Sequence, residues 1–229
     1  MREIIFDTET TGFDPANGDR MVEIGCIEMV NRVATGRDFH AYFNPERDMP
    51  SAAEKVHGLS GNFLADKPLF KDRAGELLEF LGDASLVAHN AQFDFGFLNA
   101  ELHACGRAQI SLDRMIDTLA IARKRHPGAK HTLDALCSRY GIDRSHRVLH
   151  GALLDAELLA QVYVELTGGR QIGLALASEQ IESVVEIASF APGKGDYRAP
   201  RPHAATAEEL ARHTAFLARL QQPLWTAGS

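Results

Sequence analysis

Residues 1–169 predict an α/β domain, a mixed five-stranded sheet flanked by helices, and three observations carry that prediction. Short apolar runs come first along the chain, later runs alternate with segments of helical spacing, and glycine or proline punctuates most joins. Strands followed by alternating strands and helices place antiparallel pairs beside parallel ones in one sheet. With 229 residues and 45% hydrophobic content, such a domain buries its core without crosslinks.

The elements follow in order. "REIIFDTETTG" is an apolar run ending at Gly12, the pattern of a buried first strand. "MVEIGCIEMVN" (21–31) and "FHAYFNP" (39–45), with Gly36 between them, predict the second and third strands of an antiparallel meander. "RAGELLEFLG" (73–82) sets Leu77, Leu78 and Leu81 at helical spacing and stops at Gly82. "SLVAH" (85–89) reads as a fourth, fully buried strand. Asn90 is the expected N-cap of the helix in "FDFGFLNAELHACG" (93–106), which carries Phe97, Leu98 and Leu102 and ends at Gly106.

"RMID" supplies a short fifth strand, and Pro127 and Gly128 end the helix of "TLAIARKRHPG". "HTLDALCSRYG" (131–141) starts at the N-cap candidate Thr132 and stops at Gly141. The clearest helix is "ALLDAELLAQVYVELTGG" (152–169), with Leu154, Leu158, Leu159, Val162 and Leu166 on one side. Residues 170–205 then change character: "APGKGDYRAP" is a proline- and glycine-rich linker. Residues 206–229 form a last segment, opened by a capping box of Thr206 and Glu209 and carrying Leu210, Phe216, Leu217, Leu220 and Trp225. An apolar helix beyond a linker either docks onto another protein or folds back on its own domain.

Composition narrows the function. A net charge of −7 gives no basic footprint for broad duplex binding, while it suits carboxylates gathered around cations. Three cysteines without a C-x-x-C pair disfavour both a disulfide framework and structural zinc. "IIF" is followed at once by Asp7 and Glu9, and no apolar run reaches membrane-spanning length, so a cytoplasmic protein without a membrane partner is expected.

Three motifs can carry chemistry. Asp7 and Glu9 stand two apart on the first strand and share a face, where side-by-side carboxylates repel unless something cationic joins them. Asp94 in "HNAQFD" falls in the first turn of the helix after strand four, on the rim where open α/β sheets bind ligands. His150 and Asp155 in "HGALLDA" enter the late helix. Each has an ordinary reading alone: a solvated strand end, an acid favoured by the helix dipole, a capped loop. Together, four carboxylates from three segments can hold two divalent cations about 3.5 to 4 Å apart, and hard oxygen ligands favour Mg²⁺ or Mn²⁺ over zinc.

"FDTETTG", "EIGCIEMVN", "VHGLS", "AHNAQFDFGF", "TLDALC" and "LHGALLDAELLAQVY", in this order from residue 2 to about 170, resemble the DEDD exonucleases of the ribonuclease-H-like superfold. The resemblance is to the branch with a catalytic histidine, in its proofreading members. It implies a 3′-to-5′ exonuclease acting on single-stranded or frayed DNA ends, with Asp7, Glu9, Asp94 and Asp155 as metal ligands and His150 as general base. It also implies that Val56, His57 and Phe93 pack around the 3′-terminal nucleotide and that Thr8 and Thr10 line the cleft. Gln171, Leu174 and Leu176 resemble a sliding-clamp-binding motif, and residues 206–229 would hold the catalytic subunit of a replicative polymerase. A small accessory subunit is a further partner the sequence leaves open. One departure stands out: many relatives carry glutamate where this chain has Ala52, which removes one expected sugar contact.

Other readings compete. An RNA-trimming member of the same family shares the motifs but lacks the linker and apolar tail. A phosphatase with an aspartyl nucleophile wants Asp where Glu9 stands. A non-catalytic scaffold joining clamp to polymerase has no use for the complete acidic set. Asp117 is expected to cap a helix, His89 to orient a neighbour, and "RKRH" (123–126) to be a solvated helix end or a guide for a phosphate backbone. Glu23 alternates on the second strand without an assigned role.

Overall fold

The computed structural model describes residues 1–147, 149–169 and 204–219. The chain divides into two units, Met1–Leu176 and Ala177–Ser229. In the first, β1 (Arg2–Thr10), β2 (Met21–Val30) and β3 (Val33–Tyr42) form the antiparallel meander. Strands β4 (Ser85–Ala88) and β5 (Met115–Asp117) add in parallel beyond β1, giving the order β3-β2-β1-β4-β5. The five-stranded mixed sheet is therefore present as the sequence predicts.

Period-two alternation on β1 divides the core. Ile4 and Phe6 pack into a layer with α3 (Phe70–Leu81) and α4 (Ala91–Ala104), where the Phe6 and Phe95 rings meet edge to face at 5.7 Å. Ile5 points the other way, onto Ala156, Leu159 and Tyr163 of α7 (Ala152–Leu166). Leu158, Val162 and Leu166 of α7 pack with Ala122 of α5 (Thr118–Arg125) and Leu136 and Cys137 of α6 (Leu133–Tyr140). All three cysteines are free. Among the described residues no helix is long and apolar enough to cross a membrane.

Four local features depart from the sequence reading. The β2–β3 turn is a two-residue hairpin at Asn31 and Arg32, with φ of 52° and 65°, and Gly36 (φ 82°) lies inside β3 instead of dividing the strands. Left-handed Arg is uncommon in such turns, and the first six residues of β3 are exposed, so neither turn nor strand left the usual sequence mark. Helices α1 (Ser51–His57) and α2 (Gly61–Leu64) occupy a stretch given no element; only His57 and Leu64 are buried there, which leaves no apolar stripe to detect. Asn90 precedes α4 but its side chain caps nothing. Its backbone is left-handed, and Asp117 Oδ1 instead accepts the N–H groups of Asn90 (3.0 Å) and Ala91 (3.4 Å) as well as that of Leu119 (2.9 Å).

Gly25 fixes where α7 begins. It pairs with Asp7 across β1 and β2, and a Cβ there would lie 2.3 Å from the Leu153 backbone. Only a residue without a side chain lets the first turn of α7 settle this closely on the sheet.

In the second unit, α8 (Ala207–Leu217) opens with the capping box: Thr206 Oγ1 accepts from Glu209 N–H, and Glu209 Oε2 accepts from Thr206 N–H. Leu210 and Phe216 are each 55% exposed. Gln171, Leu174, Leu176, Leu220, Trp225 and the linker up to residue 203 lie outside the described residues.

Candidate active site

The C-terminal end of β1 is where the two layers of the domain meet. Asp7 and Glu9 project on the α7 side, Asp94 arrives from the first turn of α4, and Asp155 from the first turn of α7. Thr8, between the two acids, faces the other way and donates from Oγ1 to Asp94 Oδ1 at 2.7 Å, which locks that carboxylate toward the strand. His150 precedes α7; its backbone N–H donates to the Val56 carbonyl at 3.2 Å, tying the loop to α1. All four acids and His150 line one open cleft of about 640 Å³. Oxygens of Glu9 and Asp155 and a ring nitrogen of His150 lie within 4.8 Å of one another, close enough to share a cation.

Crowding these acids is costly, and their protonation shows it. Burial raises Asp7 well above the usual carboxylate range, and repulsion from Asp94, Glu9 and Asp155 adds to it. Burial, then Glu23, then Asp155 and Asp94 push Glu9 up to about 8. Burial also moves Asp94 to about 7, against the lowering effect of the Thr8 hydrogen bond. A carboxylate set that resists ionisation until positive charge arrives is chemically suited to hard divalent cations.

A second cavity of about 480 Å³ adjoins the first and shares Thr8, Glu9 and Phe93 with it. Thr10, Val56 and His57 line it, as does Ala52, where the methyl group offers no hydrogen bond. His57 is 5% exposed; its Nδ1 accepts the Leu59 N–H at 3.0 Å, so the ring proton resides on Nε2. Burial keeps that imidazole neutral by lowering its pKa.

Sequence reading missed Arg147 and left Glu23 without a role. Arg147 is only 10% exposed and grips Asp155 with both ends of its guanidinium: Nε reaches Oδ1, and Nη2 donates to Oδ2 at 2.7 Å. The same Nη2 donates to His150 Nδ1 at 2.9 Å, and Nη1 to Asp134 Oδ1 at 2.9 Å. A basic residue three positions before the motif histidine is the available signal. Glu23, 3% exposed, pairs in register with Glu9 and takes His40 Nε2 at 2.7 Å. Its period-two spacing from Gly25 pointed to this face, but nothing in the sequence revealed the His40 partner. His89 Nδ1 lies 2.9 Å from Thr118 Oγ1 at the cleft wall, and Arg123 lines the same wall.

Residues 4–163 match the family model described as Exonuclease. The DNA polymerase III subunit epsilon of Rickettsia felis is 52% identical over 223 residues, covering 96% of this chain and 97% of that protein. The Escherichia coli protein of the same name is 41% identical, covering 99% and 98%. Among solved structures, Exonuclease X in complex with 5′ overhanging duplex DNA has a TM-score of 0.57 at 24% identity, over 72% of this chain and 90% of that one. The nuclease domain of 3′hExo, a DEDDh family member bound to rAMP, has a TM-score of 0.63 at 16% identity, over 72% and 91%. These two share the fold; the long, closely similar relatives and the family match decide membership. The chain belongs to the exonuclease family and, within it, to the epsilon subunits of bacterial DNA polymerase III.

Proposed function

We propose that this chain is a 3′-to-5′ exonuclease that removes nucleoside 5′-monophosphates from single-stranded or frayed DNA ends and proofreads for a replicative polymerase. The observation that carries the proposal is the convergence of Asp7, Glu9, Asp94, Asp155 and His150 in one cleft beside a cavity of about 480 Å³. The four carboxylates would hold two Mg²⁺ or Mn²⁺ ions. Such a pair of ions stabilises the attacking and leaving oxygens of an in-line phosphoryl displacement.

The chain's own residues supply the rest. His150 stands at the exposed lip of the cleft, where its imidazole can take the proton of the attacking water. Attack at phosphorus breaks the bond to the 3′ oxygen of the preceding nucleotide, and the phosphate leaves with the terminal nucleoside. Phe93 and Val56 offer apolar faces to that nucleoside, and stacking of this kind reads no sequence. Thr8 holds Asp94 while Thr10 lines the pocket.

Association with the polymerase's catalytic subunit through residues 206–229 is supported by full-length likeness to relatives named as polymerase subunits and by the exposed Leu210 and Phe216 of α8. Gln171, Leu174 and Leu176 are proposed to engage the sliding clamp. The test is digestion of 5′-labelled single-stranded DNA, with an RNA arm, in Mg²⁺ and in chelator. Stepwise shortening of DNA from the 3′ end, abolished by chelator, is the expected result. Internal cuts, faster RNA digestion, or intact DNA in Mg²⁺ would overturn the proposal.

A further inference from the structure

Both carboxylate oxygens of Asp155 are already engaged, although Asp155 is one of the proposed cation ligands. Arg147 takes Oδ1 through Nε and Oδ2 through Nη2, and its Nη2 also occupies His150 Nδ1. The groups that converge within 4.8 Å, Glu9, His150 and Asp155, are therefore approached by one guanidinium from the Asp155 side. Its bond to Asp134, whose side chain is 46% exposed and also pairs with Arg144 at 3.0 Å, points outward from the cleft.

From this geometry we infer that Arg147 and divalent cations compete for Asp155, so that Arg147 sets how readily the site loads metal. The inference rests on the proposed metal-dependent function. A planar guanidinium forked on a carboxylate satisfies both oxygens, and an ion entering beside it meets both a lost ligand and like-charge repulsion. Loading then requires the fork to open, and Asp134 is the anchor on which Arg147 remains held once Asp155 is released. Arg147 is thus a positioning residue: it keeps Asp155 and His150 paired, and it makes cation affinity weaker than four bare carboxylates would give.

The experiment titrates Mn²⁺ into the full chain and into Arg147→Gln and Arg147→Lys variants, reading affinity by calorimetry and thermal stability with and without the ion. Arg147→Gln is expected to bind Mn²⁺ about tenfold more tightly, equivalent to about 1.4 kcal/mol. It should melt below the parent in chelator, and saturating Mn²⁺ should erase that deficit. Arg147→Lys, which keeps the charge but not the fork, should fall between the two and keeps the test open if the Gln variant folds poorly. Unchanged or weaker Mn²⁺ binding in both variants, with a melting deficit that persists in the ion, would overturn the inference and make Arg147 a purely structural link. If the parent chain binds no Mn²⁺, the metal-dependent reading fails and the inference with it.

Discussion

Replacing Glu9 with Gln should stabilise the domain in chelator, in proportion to pH. Glu9 sits opposite Glu23 in the β1–β2 register and near Asp155 and Asp94, and its carboxyl is raised from 4.5 to about 8 in the folded chain. The sign follows from which state holds the proton. Between those two values the folded state binds the proton more tightly than the unfolded one, so this group's favourable contribution is complete below 4.5 and is lost as pH rises through about 8. Each pH unit in that window is worth about 1.36 kcal/mol, so at about pH 7 the accumulated cost is about 3 kcal/mol before its neighbours respond. Gln is nearly isosteric and carries no charge; it removes that cost. For a domain of this size the gain corresponds to roughly 6 to 12 °C in melting temperature. Melts of parent and Glu9→Gln in chelator, from about pH 5 to about pH 9, should diverge with rising pH. Divalent cations should close the gap by stabilising the parent more than the variant. A difference that stays flat with pH, or a Gln variant less stable than the parent throughout, would refute the electrostatic reasoning.

Other outcomes follow from the same structure. Asp7→Ala combined with Glu9→Ala should abolish hydrolysis of single-stranded DNA while far-ultraviolet circular dichroism stays unchanged; residual cleavage well above background would remove these residues from the chemistry. Gly25→Ala should destabilise the domain by about 1 to 3 kcal/mol, because its new methyl group meets the Leu153 backbone 2.3 Å away. It should also lower turnover by displacing Asp155, and a variant as active and stable as the parent would show that α7 has room to move. Deleting residues 206–229 should end co-purification with the polymerase's catalytic subunit and leave nuclease activity intact, whereas loss of both would make the tail part of the catalytic domain.

The strands and long helices were legible because their apolar spacing reports burial directly: Ile4 and Phe6 face one layer and Ile5 the other, while α7 packs Leu159 onto the sheet and Leu158, Val162 and Leu166 onto α5 and α6. The carboxylates were legible only as an ordered set, since each has an ordinary reading alone and the family resemblance joins them. What sequence could not reveal is pairing at a distance. Arg147 reads as one more surface arginine until Asp155 and Asp134 are seen around it, and the His40 contact to Glu23 crosses two strands. Short α1 carries His57 and Val56 to the pocket without an amphipathic stripe, so its residues were placed by resemblance and its helix was not. Gly25 was visible as a letter in "EIG", but its purpose needs the coordinates of Leu153.

Anomalous diffraction from crystals soaked with Mn²⁺ and a nucleoside 5′-monophosphate would locate the cations and the nucleoside together. Two peaks about 3.5 to 4 Å apart are expected, both within coordination reach of Asp7, Glu9, Asp94 or Asp155, with the phosphate beside them and the nucleoside against Phe93. Peaks elsewhere on the surface, or none among these carboxylates, would contradict the two-metal site.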